Sequence, residues 1–158
     1  MSATSIVTPE FAIGGEVAKS PHEILQSALA ALAEGRVPEV VAQFDDHFTF
    51  KDHALTLEFN DKIRLIEFLN KSRELFPDTT LEVLSIFGDG DQSIGQWKLS
   101  ATQTVPCGSI SYRFPVSLFG ATIVRVEDGK IVQWTDYYDQ SSSRRVGLAG
   151  LFTEWIEY

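Results

Sequence analysis

From residue 20 onward, apolar positions follow two successive periods, first helical and then alternating. Ile24, Leu25, Ala28, Leu29, Ala31 and Leu32 recur at the spacing of one helix face. Ser20-Pro21-His22-Glu23, just ahead of them, has the spacing of a capping box with proline at the first helical position. Gly35 ends that helix, and Pro38 opens a short second one that turns Val40, Val41 and Phe44 inward. Phe48 and Phe50 alternate with Thr49 and Lys51, which predicts a strand, and Leu55 to Phe59 reads as its partner. Asn60 or Asp61 caps a third helix that Pro77 terminates. Its apolar stripe is read as Ile63, Ile66, Phe68, Leu69, Leu75 and Phe76.

Beyond Thr79 the period becomes two. TLEVLSIF leads to a turn at Gly88-Asp89-Gly90-Asp91. SIGQWKLSATQTV leads to another near Pro106-Cys107-Gly108. SISYRFPVSLFGATIVRV is long for one flat strand, and Pro115 and Gly120 predict a bulge or bend within it. Asp128-Gly129 is a hairpin turn before the last strand, KIVQWTDYYD. SSSRRVGLAGLFTEWIEY reads as a closing amphipathic helix, with Val146, Leu148, Leu151, Phe152, Trp155 and Ile156 as its apolar positions. Residues 1–19 have no period and read as an N-terminal arm prone to disorder, which leaves 20–158 as a single domain. Strands and helices do not alternate as in a doubly wound fold. The order predicts an α+β domain, with helices gathered on one face of a curved, mostly antiparallel sheet.

The composition agrees with one packed domain. The 158 residues are 44% hydrophobic, and a chain of this length can bury roughly two thirds of its unfolded surface. Thirteen basic against 22 acidic residues give a net charge of −9, which repels a phosphate backbone and an anionic membrane alike. A nucleic-acid partner and a membrane partner are therefore not expected. No apolar run approaches a membrane span, and the N-terminus lacks the pattern of a signal peptide, so the expected location is cytoplasmic. The single cysteine, Cys107, allows no intrachain disulfide or thiolate zinc site and is read as a turn residue. His22, His47 and His53 do not have metal-site spacing, so no metal is expected.

The element order, and the pairing of FDDHFTFKDH with VRVEDGKIVQWTDYYD, resembles the cystatin-like α+β cone domains of the nuclear transport factor 2-like superfamily. That superfamily includes SnoaL-like polyketide cyclases, ketosteroid isomerases and limonene epoxide hydrolases. The resemblance covers roughly residues 20–140 and is most specific in the final hairpin, Glu127 to Asp139. It implies a deep, mostly apolar pocket between sheet and helices, a small apolar ligand, no cofactor and a homodimer.

Strand alternation puts Trp134, Asp136 and Tyr138 on one face, and Phe48, Phe50 and Asp52 on one face of the earlier strand. A carboxylate among aromatics loses hydration, which raises its pKa and suits acid/base work near neutral pH. Asp136 falls where the Trp-x-Asp-Tyr stretch of limonene epoxide hydrolases has its catalytic aspartate. Asp52 falls where ketosteroid isomerases have their general base. His53 is a candidate relay, although it alternates away from Asp52. The epoxide hydrolase set also needs an Arg-x-Asp pair, and the matching positions here are read as Lys98 and Ser100, which argues against that chemistry. Lys98 would instead pair with Asp136 or hold an anionic group. The isomerase oxyanion donors are missing as well: the first helix has no tyrosine, and the later acid falls near Thr122. SnoaL-like cyclases demand only one acid/base aspartate in an apolar cavity. The expectation is a cofactor-independent proton-transfer enzyme with Asp136 as acid/base and Asp52 or Lys98 assisting. Phe50, Trp134, Tyr138, Lys98, Ser100 and Thr122 would be the pocket positions. The alternative is a non-catalytic ligand-binding or dimerisation module of the same fold.

Overall fold

The computed structural model describes residues 17–140, with backbone only at 105–107. The expected closing helix, and all but the last residues of the expected N-terminal arm, lie outside the described residues. The element order is α1 (Pro21–Ala33), α2 (Val37–Ala42), β1 (Phe44–Asp52), β2 (Leu57–Phe59), α3 (Lys62–Leu75), β3 (Thr80–Asp89), β4 (Gln92–Cys107), β5 (Ile110–Glu127) and β6 (Lys130–Tyr138). The strands form one open sheet in the order β2-β1-β6-β5-β4-β3. Every neighbouring pair is antiparallel except β1 and β6, which run parallel. Three helices packed on this mostly antiparallel sheet make an α+β fold of the cone-like class.

The local signals act as their chemistry dictates. The Ser20 amide donates to the Glu23 carboxylate at 2.8 Å, and the Glu23 amide donates back to Ser20 Oγ, so two orphan donors at the start of α1 are satisfied. Asp61 caps α3 by accepting from the Arg64 amide at 2.9 Å. Gly35, at φ +67°, supplies the left-handed residue that ends α1. The apolar underside of α1 (Ile24, Leu25, Ala28, Leu29) rests on the sheet. At Gly95 of β4 an added Cβ would sit 2.9 Å from the Leu29 side chain, so glycine sets how closely the helix approaches.

Two expectations are corrected. Strand β5 carries no bulge at Pro115 or Gly120, and its register with β4 is unbroken from Gln92↔Arg125 to Cys107↔Ile110. Gly120 instead lies under the Trp97 ring, 2.4 Å from where a Cβ would be, so its role is to make room for an indole. Register shifts occur elsewhere, within β1–β6, β3–β4 and β5–β6, and these let the sheet bend. On α3 the buried stripe is Leu65, Phe68 and Leu69. Ile63 is 70% exposed, and Ile66 also faces outward. Phe68, Leu69, Leu75 and Phe76 of the expected stripe do face the core, but Leu65 takes the place of Ile63 and Ile66, because this helix carries apolar residues on both sides.

Candidate active site

The sheet's concave face and the undersides of the helices enclose a cavity of about 350 Å³. Its walls are mostly apolar: Leu29 and Val40 from α1 and α2, Leu65 and Phe68 from α3, Phe50 from β1, Leu99 from β4, and Val116 and Leu118 from β5. Exposed lining residues (Glu34, Arg73 and Pro77) mark its mouth, between the α1–α2 turn and the end of α3. There the Arg73 guanidinium donates to the Gly35 carbonyl oxygen.

The polar part of the cavity is one row of residues running across three strands. Asp52 of β1 lies beside Asp136 of β6 in the parallel register, and Asp136 lies beside Thr122 of β5. All three line the cavity together with Trp97, Trp134 and Tyr138. The two carboxyls differ in what they offer. Asp52 is 3% exposed and both of its oxygens are engaged: Oδ1 accepts from the Leu55 amide at 2.8 Å, and Oδ2 accepts from the Tyr138 hydroxyl at 2.9 Å. It thereby holds the β1–β2 turn, where Thr56 sits at φ +58°, a costly conformation for a β-branched residue. Asp136 retains some exposed surface on the cavity. Its Oδ1 meets the Thr122 hydroxyl at 2.5 Å, and the Trp97 indole N–H donates to that same hydroxyl at 2.9 Å.

Both carboxyls hold protons more tightly than usual. Burial first, and then the neighbouring Asp52 charge, raise Asp136 to about 7, against the opposing pull of the Thr122 hydroxyl and the nearby Trp134 indole N–H. Burial raises Asp52 to about 6 against the pull of its amide and hydroxyl donors. Two carboxylates side by side in a water-poor space cannot both ionise cheaply, so these values belong to the pair. The Tyr138 hydroxyl is pushed well above the ordinary tyrosine range, first by burial and then by the Asp52 charge, so it remains a donor. A group poised near neutrality and facing an apolar cavity can both give and take a proton.

Most of the sequence-predicted positions meet in this cavity: Asp52, Asp136, Phe50, Trp134, Tyr138 and Thr122. Lys98 and Ser100 do not. The alternation of β4 sends Trp97 and Leu99 into the cavity, and Lys98 lies on the opposite face, 5.7 Å from the Phe119 ring centroid. The family match that singled out Lys98 and Ser100 is therefore one residue off, and the alternation of Trp97 and Leu99 is the signal that corrects it. No Arg-x-Asp pair occupies the cavity-facing positions 97 and 99. His53 is also displaced from its proposed relay. Its backbone amide donates to the Asp136 carbonyl oxygen, while its ring stacks on Tyr137 outside the cavity. Trp97 was missed: nothing in the sequence marks its indole N–H as the partner of Thr122. Among the described residues no group of three or more His, Cys, Asp or Glu side chains gathers as a metal site would need, and no helix is long and apolar enough to cross a membrane.

The sheet, its helices and the carboxyl-bearing cavity define a protein of the nuclear transport factor 2-like superfamily. Within it, residues 25–134 match the SnoaL-like domain, and the chain belongs to that family. Solved structures share the fold at low identity. A SnoaL-like polyketide cyclase, provisionally so named, from Shewanella denitrificans aligns with TM-score 0.67 at 13% identity, over 77% of this chain and 91% of its own. IdmH of Streptomyces antibioticus, provisionally a polyketide cyclase, aligns with TM-score 0.66 at 16%, over 85% and 99%. An M. tuberculosis epoxide hydrolase resembling limonene epoxide hydrolase aligns with TM-score 0.59 at 18%, over 84% and 90%. A search of curated protein sequences gives no match.

The raised carboxyls fix the sign of a pH effect. Asp52 and Asp136 bind protons more tightly in the folded chain than in the unfolded one, so stability is greatest below about pH 4 as far as this pair is concerned. It declines as pH rises through about 7. Between pH 5 and 8 the loss is of order 4 kcal/mol, or roughly ten degrees in Tm for a chain of this size. Calorimetry should find Tm lower at pH 8 than at pH 5, with the decline at least halved in Asp136→Asn. A Tm that rises over this range would contradict the assignment.

Proposed function

We propose that this chain is a cofactor-independent proton-transfer enzyme, isomerase- or cyclase-like, acting on a small apolar molecule that bears a carbonyl or hydroxyl group. Asp136 is the acid/base. The observation that carries the reading is its placement: a carboxyl poised near pH 7, with one oxygen bonded to Thr122 and its exposed surface on the apolar cavity. Asp52 is turned toward its own strand's turn and Tyr138, and acts on Asp136 through its charge rather than on the substrate. Proteins of similar fold include the two provisional polyketide cyclases and a protein with a ketosteroid isomerase-like fold, which supports this class of reaction.

A non-catalytic ligand-binding module is the second reading. It is favoured by the hydroxyls of Tyr138 and Thr122, whose hydrogen bonds run to Asp52 and Asp136 and not into the cavity. Deuterium uptake separates the two readings. Small ketones, lactones and polyketide-like carbonyl compounds incubated in D₂O should gain label at the carbon next to the carbonyl with the wild-type protein. With Asp136→Asn, which keeps the shape, uptake should fall by about a hundredfold or more. Equal uptake by the two would sink the role of Asp136.

The partner we propose is a second copy of the chain. The sheet face opposite the cavity exposes Phe87, Ile94, Phe119 and Tyr137 on four neighbouring strands, with Phe119 61% exposed. This exposed apolar surface suits a two-fold contact in which each copy presents the same face. Sedimentation at micromolar concentration should find a dimer that Phe119→Lys converts to a folded monomer. A wild-type monomer would contradict it.

A further inference from the structure

Among the described residues two buried side-chain nitrogens have no hydrogen-bond partner, Gln103 Nε2 and Trp134 Nε1. An unpaired buried donor costs about 1–3 kcal/mol, so each calls for a use. Gln103 does not line the cavity. Trp134 does, and it stands two residues before Asp136 on the same face of β6. Trp134 is 2% exposed and its Nε1 is shut off from solvent, so neither water nor a bound ligand can reach that hydrogen. The acceptor must come from the protein. The Asp136 carboxyl lies close enough to feel the indole N–H, which favours its charged form, yet the two are not aligned as a hydrogen bond.

We infer that the Trp134 indole N–H is a positioning donor held for the ionised state of Asp136, so that the carboxyl takes this bond when it gives up its proton and releases it when the proton returns. This rests on the acid/base reading of Asp136. In the neutral state Asp136 keeps only its Thr122 contact. Once ionised it accepts from both Thr122 and Trp134. The unpaired N–H destabilises the resting state and stabilises the charged one, which narrows the gap between the two forms that an acid/base must visit. The titratable groups facing Asp136 are Asp52 of β1 and Tyr138 of β6. The α1 and α3 side chains over the cavity's interior, Ser72 among them, carry no titrating group, Glu34 and Arg73 stand at its mouth, and the His53 ring lies on the other face.

The test uses the whole chain with ¹⁵N-labelled indoles, the Trp134 signal being assigned by its loss in Trp134→Phe. Between pH 5 and 9 the indole N–H resonance should move downfield with the same midpoint as the Asp136 carboxyl carbon, and this movement should vanish in Asp136→Asn. Trp134→Phe, which keeps the ring packing, should tighten proton binding at Asp136 by about tenfold and move the pH profile of deuterium uptake upward with it. An indole resonance that stays flat while Asp136 titrates overturns the inference and leaves the acid/base reading intact. An Asp136 midpoint in the ordinary carboxylate range overturns both. The wild-type resonance decides the matter even where the phenylalanine variant fails to fold.

Discussion

Two carboxyl groups on adjacent strands cannot both ionise cheaply where burial strips away their hydration. The constraint comes from register: β1 and β6 run parallel with Asp52 directly beside Asp136. The rest of the site answers this crowding. Asp52 is given an amide and a hydroxyl to hold, and Asp136 is given one hydroxyl and the cavity. The two acids therefore sit in different surroundings, Asp52 fixed by donors and Asp136 left with its raised proton affinity toward the cavity.

The scaffold makes that crowding tolerable. The α1 underside packs down at Gly95, and the Trp97 ring covers Gly120, so apolar surface closes over the carboxyl row from two sides. Trp97 contributes twice, since its indole N–H also fixes the Thr122 hydroxyl that meets Asp136. Dispersion and hydrogen bonding therefore converge on the same few residues, and burial, the largest cause of the raised proton affinity, follows from packing. At the cavity's mouth the Arg73 guanidinium bridges the end of α3 to the α1–α2 turn.

Much of this was legible in the chain itself. The Ser20–Glu23 cap, the helix and strand order and the shared face of Trp134, Asp136 and Tyr138 all follow from local rules. Periodicity falters where apolar residues occupy both faces of an element. Ile63 and Ile66 take the place of Leu65 in the α3 stripe for that reason, whereas Lys98 and Ser100 entered the expected pocket through the family match, against an alternation that turns Trp97 and Leu99 inward. Long-range partners are not written in local pattern at all. Trp97 bonds Thr122 from 25 positions away, and Tyr138 bonds Asp52 from 86. The face of Asp52 could be read from alternation, but its commitment to Leu55 and Tyr138 depends on how the β1–β2 turn meets the end of β6.

Asp52 and Asp136 stand as one coupled, buried pair. The most direct measurement is the titration of the Asp136 carboxyl carbon by NMR, in the wild type and in Asp52→Asn. The account predicts a midpoint near 7 in the wild type that falls when the Asp52 charge is removed. An Asp136 midpoint near the ordinary carboxylate value and indifferent to Asp52 would contradict it.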